Sequence, residues 1–409
     1  MEPVYDVVII GGGMAGLMAA IRLGRVGKHV AIVSRGDPIV CLSTGCIDVL
    51  ACGGNPLEAV GELPKTHPYR LLSTEFMVEA LNDFLSAMAE EGLPYVGSPF
   101  ENRKVLTPLG AGKTTCLVPQ TMDHSTVSSD VRLHVVTFAG LKDFYPGYIL
   151  SRLPASEYSV FDAGPCSTLS LATRFERRDF LESFLSWLKG ADITADKIAL
   201  PAVLGWRKAL EIKAVIEGEL KRPLFEIPTL PPSVAGMRLH RALVRKALKL
   251  GVQLYKGRSV STVEKAGRLV EAVTIEAPGR PIRVNGQAFI LSTGSFVGGG
   301  LASSRAGVEE VVFHLPVYYP PDRTSWFGER FFPPEHPIED AGIIVDEEFR
   351  PQGVEIDNLF VAGSILAYAR VLRYGCGHGL AIVSGEAAAS SCLKYLQASA
   401  EGYACSRTA

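Results

Sequence analysis

The sequence predicts an α/β protein: a mostly parallel, doubly wound domain divided in sequence, with a second α/β domain inserted between its parts. Three observations carry this. An apolar strand, a glycine-rich turn and a helix follow one another at the N-terminus. A second apolar strand and a second glycine-rich turn lie near the C-terminus. Between them, apolar strands and amphipathic helices alternate within a chain of 409 residues, longer than one hydrophobic core normally serves.

The first element runs Val4-Tyr5-Asp6-Val7-Val8-Ile9-Ile10 into Gly11-Gly12-Gly13-Met14-Ala15-Gly16, and a helix follows over 17–24. Each glycine has a mechanical reason. Gly11 permits a tight turn off the strand, Gly13 removes the side chain that would keep a pyrophosphate from the backbone, and Gly16 lets helix and strand pack closely. The free N–H groups of the helix N-terminus then favour phosphate. A second strand, Val30-Ala31-Ile32-Val33-Ser34, completes a Rossmann-like mononucleotide-binding βαβ unit. The apolar start is broken by glycine, short for a membrane span and without a basic flank, so it is not expected to be a signal or anchor. Where such folds usually place Glu or Asp for the ribose hydroxyls, this chain has Ser34 and then Arg35. Ser34 is expected to bond a ribose more weakly, and Arg35 to face a phosphate.

Cys41-Leu42-Ser43-Thr44-Gly45-Cys46-Ile47-Asp48 follows as a small-residue loop suited to run under a planar ring, with Ser43, Thr44 and Gly45 at its centre. A polar, proline-punctuated stretch over 55–67 leads to a helix over 73–91. Residues 100–232 alternate strands such as Leu133-His134-Val135-Val136-Thr137-Phe138 with helices such as 179–189, and are expected to form the inserted domain. The nucleotide-binding domain then comprises residues 1–99 and 233–409. The double proline Pro231-Pro232 prevents helix before Ser233, which is placed to cap the helix after it. There Leu239, Leu243, Ala247 and Leu250 form an apolar stripe, with Arg238, Arg241, Arg245 and Lys249 on the far side, expected to be solvated or else to meet a polyanionic substrate or an acidic partner subunit. Short antiparallel strands are expected over 252–255, 261–263, 272–275 and 281–284, and the chain re-enters the core at Ala288-Phe289-Ile290-Leu291-Ser292-Thr293-Gly294. Near the C-terminus, Asp357-Asn358-Leu359-Phe360-Val361-Ala362-Gly363-Ser364 is a buried strand ending in a turn. Gly375-Cys376-Gly377-His378-Gly379-Leu380-Ala381 opens another helix.

Composition narrows the function classes. A formal charge of −2 argues against nucleic-acid binding, and no stretch reaches the length of a transmembrane helix. Eight cysteines occur without a single CxxC pair, so neither a metal site, a cluster nor a disulfide framework is expected, and the chemistry is that of a reducing cytoplasm.

The two glycine-rich jaws, the Ser43-Thr44-Gly45 loop with Ile47-Asp48, the Leu230-Pro231-Pro232-Ser233-Val234 segment with Gly236 and Arg238, and the Ser292-Thr293-Gly294 return occur in one order over almost the whole chain. In this the sequence closely resembles the B-type subunits of anaerobic glycerol-3-phosphate dehydrogenases, and more distantly is similar to flavoproteins of the fumarate reductase type. The resemblance implies a flavin subunit that oxidises sn-glycerol 3-phosphate to dihydroxyacetone phosphate. It implies a sister flavoprotein of the A type and an iron–sulfur anchor of the C type, a quinone acceptor with fumarate or nitrate beyond it, and a cytoplasmic protein peripheral at the membrane through a partner. The family is described as binding FMN, whereas the pyrophosphate turn points to FAD; both stand at this point. The alternatives are a stand-alone fumarate reductase-type oxidoreductase acting on another small anion, and a non-catalytic scaffold or electron-relay subunit.

Candidate flavin-binding residues are Gly11, Gly12, Gly13, Met14, Ala15, Gly16, Ser34, Arg35, Ser43, Thr44, Gly45, Thr293, Gly294, Gly363, Ser364, Gly377, His378, Gly379 and Leu380. Oxidising a secondary alcohol also needs a base for the hydroxyl proton and cations for the phosphate. His378 is either base or charge stabiliser, or else a structural histidine of the turn. His314 is a second base or a satisfied core histidine. Arg373, Arg370, Arg305 and Arg323 are candidate phosphate clamps.

Overall fold

The computed structural model describes residues 4–123, 131–330 and 336–408. The chain divides into two compact units, one of residues 1–39, 57–87 and 243–409, the other of 40–56 and 88–242. Residues 40–56, 88–99 and 233–242 thus pack with the second unit, although the sequence groups them with the first.

The first unit is built on a seven-stranded sheet. β1 (Val4–Ile10) is flanked by β2 (Val30–Ser34) and by the strand Ile282–Leu291, both parallel to it. All but the first residues of β1 are apolar and buried, the pattern of a central parallel strand covered on both faces. The strand Gln253–Lys256 pairs parallel with β2, which corrects the expected antiparallel hairpin at 252–255. It follows directly on the helix Val234–Lys249, and a strand returning after a helix enters a sheet as a parallel crossover. The separate strands expected over 281–284 and 288–291 are one ten-residue strand. Its first half pairs antiparallel with Leu269–Ile275, as expected there, and its second half parallel with Leu359–Val361. Val260–Ala266 closes the antiparallel edge.

α1 (Met14–Arg25) and the long C-terminal helix Gly377–Thr408 pack on each other at backbone distance. A Cβ on Gly385 would fall 2.4 Å from the carbonyl oxygen of Ala15, so only glycine permits this approach.

The second unit carries a four-stranded parallel sheet, in the order Leu224–Ile227, Lys197–Pro201, Leu133–Phe138, Glu157–Phe161. The helices Thr168–Phe175, Arg178–Lys189 and Ala209–Leu220 belong to it. Phe184 anchors its core, with ring centroids 5.1 Å from Phe175 and 5.3 Å from Phe161. Ser233 caps the helix Val234–Lys249 as expected, its Oγ accepting the Gly236 N–H at 3.1 Å. Arg238 departs from the expected solvated face. It is 3 % exposed, donates to both oxygens of the fully buried Glu226 at 2.5 and 3.0 Å, and through Nε to the Gly205 carbonyl. A helical stripe cannot announce a buried counter-charge on another strand. Arg241 is exposed and lies over the Trp206 ring.

Among the described residues no helix is long and apolar enough to cross a membrane, and no group of His, Cys, Asp and Glu has metal-ligating proximity. Burial pushes the Cys46 thiol up to about 11 and that of Cys116 to about 12, so both are protonated at neutral pH.

Candidate functional site

Three of the four glycines after β1 are required by the protein's own packing. Gly11 holds φ +122°, and a Cβ on it would fall 2.2 Å from the Ser292 carbonyl oxygen. On Gly16 a Cβ would lie 2.0 Å from the Gly11 oxygen, and on Gly12 it would lie 2.8 Å from Ser34 Oγ. Gly13 differs. It is the N-cap of α1 in an extended conformation, and its Cβ would meet nothing nearer than Pro38 at 3.8 Å. The helix behind it has no side-chain cap and no acidic residue in its first turn. A glycine that nothing in the protein demands, at the head of an uncapped helix, is the cradle a phosphate requires.

Ser34 Oγ donates to the Gly36 carbonyl at 3.1 Å, so its proton is committed and it offers a ribose lone pairs only. Arg35 is exposed, with its guanidinium against Gly299, where a Cβ would fall 2.2 Å from Nη2.

The return strand ties into this turn. Ser292 Oγ lies 3.2 and 3.1 Å from the carbonyl oxygens of Ile10 and Gly11. Thr293 Oγ1 is buried without a hydrogen-bond partner, and Gly294 turns the chain at φ +76°. Gly363, at φ +86°, would place a Cβ 3.1 Å from that of Ala15, and its N–H donates to Ser384 Oγ at 2.9 Å. Ser364 Oγ accepts the Ser295 N–H at 3.3 Å. The segments 11–16, 292–295 and 363–364, far apart in sequence, therefore meet. The open face of Gly13, the uncapped helix and the orphaned Thr293 hydroxyl fit the pyrophosphate of a dinucleotide flavin.

The second jaw follows the one-turn helix Val371–Tyr374. Gly375 is left-handed at φ +53°, Cys376 is fully buried, and the long helix starts at Gly377 with no acid in its first turn. His378 is half-buried, Gly379 and Leu380 are buried, and Arg373 is exposed. Of the other arginines, Arg370 is bound to Asp340, Arg323 donates to the Ser304 carbonyl and lies over Trp326, and Arg305 is exposed.

His314 is exposed, at φ +56°, which sets aside its description as a core histidine. Its loop is shaped by the buried Glu310 carboxylate, which takes the N–H groups of Val312 and Phe313 at 2.8 and 2.7 Å. Burial pushes the Glu310 carboxyl up in spite of those bonds. The loop joins the return turn through the Val311 N–H on the Gly300 carbonyl.

Ser43, Thr44 and Gly45 belong to the second unit and form a self-bonded turn. Ser43 Oγ donates to the Val40 carbonyl at 2.8 Å and accepts the Gly45 N–H, while Gly45 sits at φ +77° and its carbonyl accepts from Tyr95 Oη at 2.7 Å. In the same unit Gly236 is required, because a Cβ there would fall 2.2 Å from the Val40 oxygen.

Sequence reasoning missed His67, which is 1 % exposed. The Tyr69 N–H donates to its Nδ1 at 3.1 Å, leaving Nε2 to donate to the Ala369 carbonyl at 3.2 Å. Burial pushes the imidazole down to about 4, so it is neutral. Tyr69 Oη reaches the Cys376 carbonyl at 3.5 Å, and Tyr374 meets the His67 ring edge-on at 5.3 Å. The pair braces the second jaw, and its only sequence signal is the proline between its members.

The chain is similar to known proteins over most of its length. A family described as FAD binding domain matches residues 6–380. The B subunit of the anaerobic glycerol-3-phosphate dehydrogenase of Yersinia enterocolitica is 30 % identical over 93 % of this chain and 96 % of its own length. The protein of the same name from Vibrio vulnificus is 29 % identical over 96 % and 97 %. Among solved structures, E. coli quinol fumarate reductase superimposes with a TM-score of 0.47 at 10 % identity, over 97 % of this chain and 71 % of that one.

Proposed function

The chain belongs to the FAD-binding family and to the B-type subunits of anaerobic glycerol-3-phosphate dehydrogenases, and from that premise we propose that it is a flavin subunit oxidising sn-glycerol 3-phosphate to dihydroxyacetone phosphate. Coverage carries this reading: the likeness to the B-type proteins extends over 93 % of the chain, and the FAD-binding family match over residues 6–380 spans both glycine jaws. The cofactor is FAD, whose pyrophosphate suits the Gly13 cradle and which FMN lacks.

When bound, FAD accepts the hydride from the alcohol carbon. The chain's own residues do the rest. The amides at the head of α1 bind the pyrophosphate, with the Thr293 hydroxyl as a further donor, and Ser34 Oγ accepts from a ribose hydroxyl. The positive end of the helix beginning at Gly377, with the first-turn amides of His378 and Gly379, would stabilise negative charge on the reduced ring, while buried Leu380, whose N–H is bonded to the Cys376 carbonyl, packs behind them. The Arg373 guanidinium takes the substrate phosphate, a task its planar fork suits. A ring nitrogen of His378 takes the hydroxyl proton, with exposed His314 as the second candidate. The relatives' designation as B subunits supports a multi-subunit assembly. Within it, a sister flavoprotein of the A type is the partner, and electrons pass through an iron–sulfur anchor of the C type to quinone and on to fumarate or nitrate, at the membrane face.

Anaerobic titration of the purified, FAD-loaded chain with glycerol 3-phosphate tests this. Bleaching of the flavin absorbance, slowed at least about a hundredfold by His378→Ala, is expected for loss of a general base. A flavin that stays oxidised at saturating substrate would transfer the chemistry to a partner protein.

A further inference from the structure

The segment 367–376, which delivers Arg373 and the second jaw, runs in a conformation its residues disfavour. Tyr368 holds φ +62° and Arg370 φ +36°, both left-handed without being glycine, and Gly375 follows at φ +53°. Such backbone persists only where the surroundings over-determine it.

Here the surroundings are concentrated in the short turn Pro337–Asp340. The Asp340 carboxylate, almost buried, receives Nε and Nη2 of Arg370 in a two-point pair, each at 2.5 Å. The Asp340 carbonyl accepts the Tyr368 N–H at 3.1 Å. Next to it, Glu339 brings its carboxylate against the backbone amides of Leu372 and Arg373, with neither oxygen in a hydrogen bond of ordinary geometry. From the opposite direction His67 Nε2 holds the carbonyl of Ala369. Arg370 is the N-cap of the one-turn helix Val371–Tyr374, and its carbonyl accepts the Tyr374 N–H at 3.0 Å. Whatever fixes the Arg370 side chain therefore fixes the turn from which Arg373 projects. With its fork taken by Asp340, Arg370 serves the site through that turn.

We propose that Asp340 is a positioning residue: by locking Arg370 in its left-handed conformation, it sets the Val371–Tyr374 turn so that Arg373 meets the phosphate of a phosphorylated polyol. This rests on the role of Arg373 put forward above. A surface ion pair without that task would contribute little, and its loss would leave substrate binding untouched.

The test uses the full chain loaded with FAD, measuring glycerol 3-phosphate affinity by calorimetry, with FAD content and thermal midpoint read on the same samples. Asp340→Asn is expected to weaken glycerol 3-phosphate binding about tenfold or more, as for a misaligned charge-assisted hydrogen bond to the phosphate, while FAD stays stoichiometric. Arg373→Ala should weaken it comparably, and the double variant should be no worse than Arg373→Ala alone, since both act through one guanidinium. Asp340→Glu should recover part of the loss. If Asp340→Asn does not fold, Arg370→Lys keeps the charge, gives up the fork and should show the same weakening. Normal affinity in Asp340→Asn or Arg370→Lys, alongside weakened Arg373→Ala, overturns the inference and leaves the function standing. Normal affinity in Arg373→Ala overturns the premise itself.

Discussion

Gly13 and Gly16 lie three positions apart and serve different masters. Gly16 is demanded by the fold, because a Cβ there would overlap the Gly11 oxygen at 2.0 Å, whereas a Cβ on Gly13 would only make an ordinary contact with Pro38 at 3.8 Å. Gly16→Ala is therefore expected to destabilise the cofactor-free protein by about 2 kcal/mol, the common cost of forcing an extra methyl into packed backbone. Gly13→Val should cost that stability no more than about 1 kcal/mol, the scale of replacing a favoured N-cap residue. It should weaken FAD about thirtyfold or more, since losing one charge-assisted bond to phosphate costs ~2 kcal/mol. Denaturant melts of the cofactor-free variants, paired with FAD titrations, separate the two effects. A Gly13→Val protein that binds FAD normally would remove this turn from the cofactor site.

The contact between α1 and the helix Gly377–Thr408 joins the two jaws, and it carries an ionisable group at its centre. Glu386 is fully buried; one oxygen lies 3.1 Å from Nη1 of Arg22, and the other has no partner. Asp83 and Glu79, from the helix Thr74–Glu90, face the same Arg22, and Arg25 holds Asp83 at 2.7 Å. Burial outweighs the attraction to Arg22 and pushes the Glu386 carboxyl up to about 8. Between an ordinary carboxyl pKa near 4.5 and that value, the folded protein binds a proton the unfolded chain does not. The contribution is thus fully present below about 4.5 and is lost as pH rises through about 8. Glu386→Gln has no such dependence. Its stability relative to the parent should improve by at least about 1 kcal/mol between pH 5.5 and pH 9, well short of the ~5 kcal/mol into which the whole displacement converts. Urea melts at the two pH values decide it. A difference independent of pH would mean that Arg22 keeps Glu386 ionised throughout.

For the molecule as a whole, the cofactor is a stabilising ligand of the native state. FAD at a hundred times its dissociation constant should add about 2.7 kcal/mol, seen as a raised thermal midpoint, and FMN at the same concentration should move it far less, lacking the pyrophosphate for the Gly13 cradle. Equal shifts from the two flavins would show that the turn does not discriminate between them.

The sequence was most informative where backbone conformation is decided locally. A glycine turn after an apolar strand, a serine after two prolines and the alternation of strand and helix all act within a few residues, and the first jaw, the Ser233 cap and the α/β class were legible for that reason. Residues whose meaning lies in a distant partner were not. Arg238 fits a helix's polar stripe until Glu226 meets it in the interior, and Gln253–Lys256 passes for a hairpin strand until β2 is its neighbour. Nothing near His67 announces a bond to Ala369, 302 positions away, and nothing local to Glu339 and Asp340 announces that Arg370 and its strained segment rest on them. Periodicity and turn chemistry are properties of short stretches, while burial of a charge and support of a strained backbone exist only between segments that folding brings together.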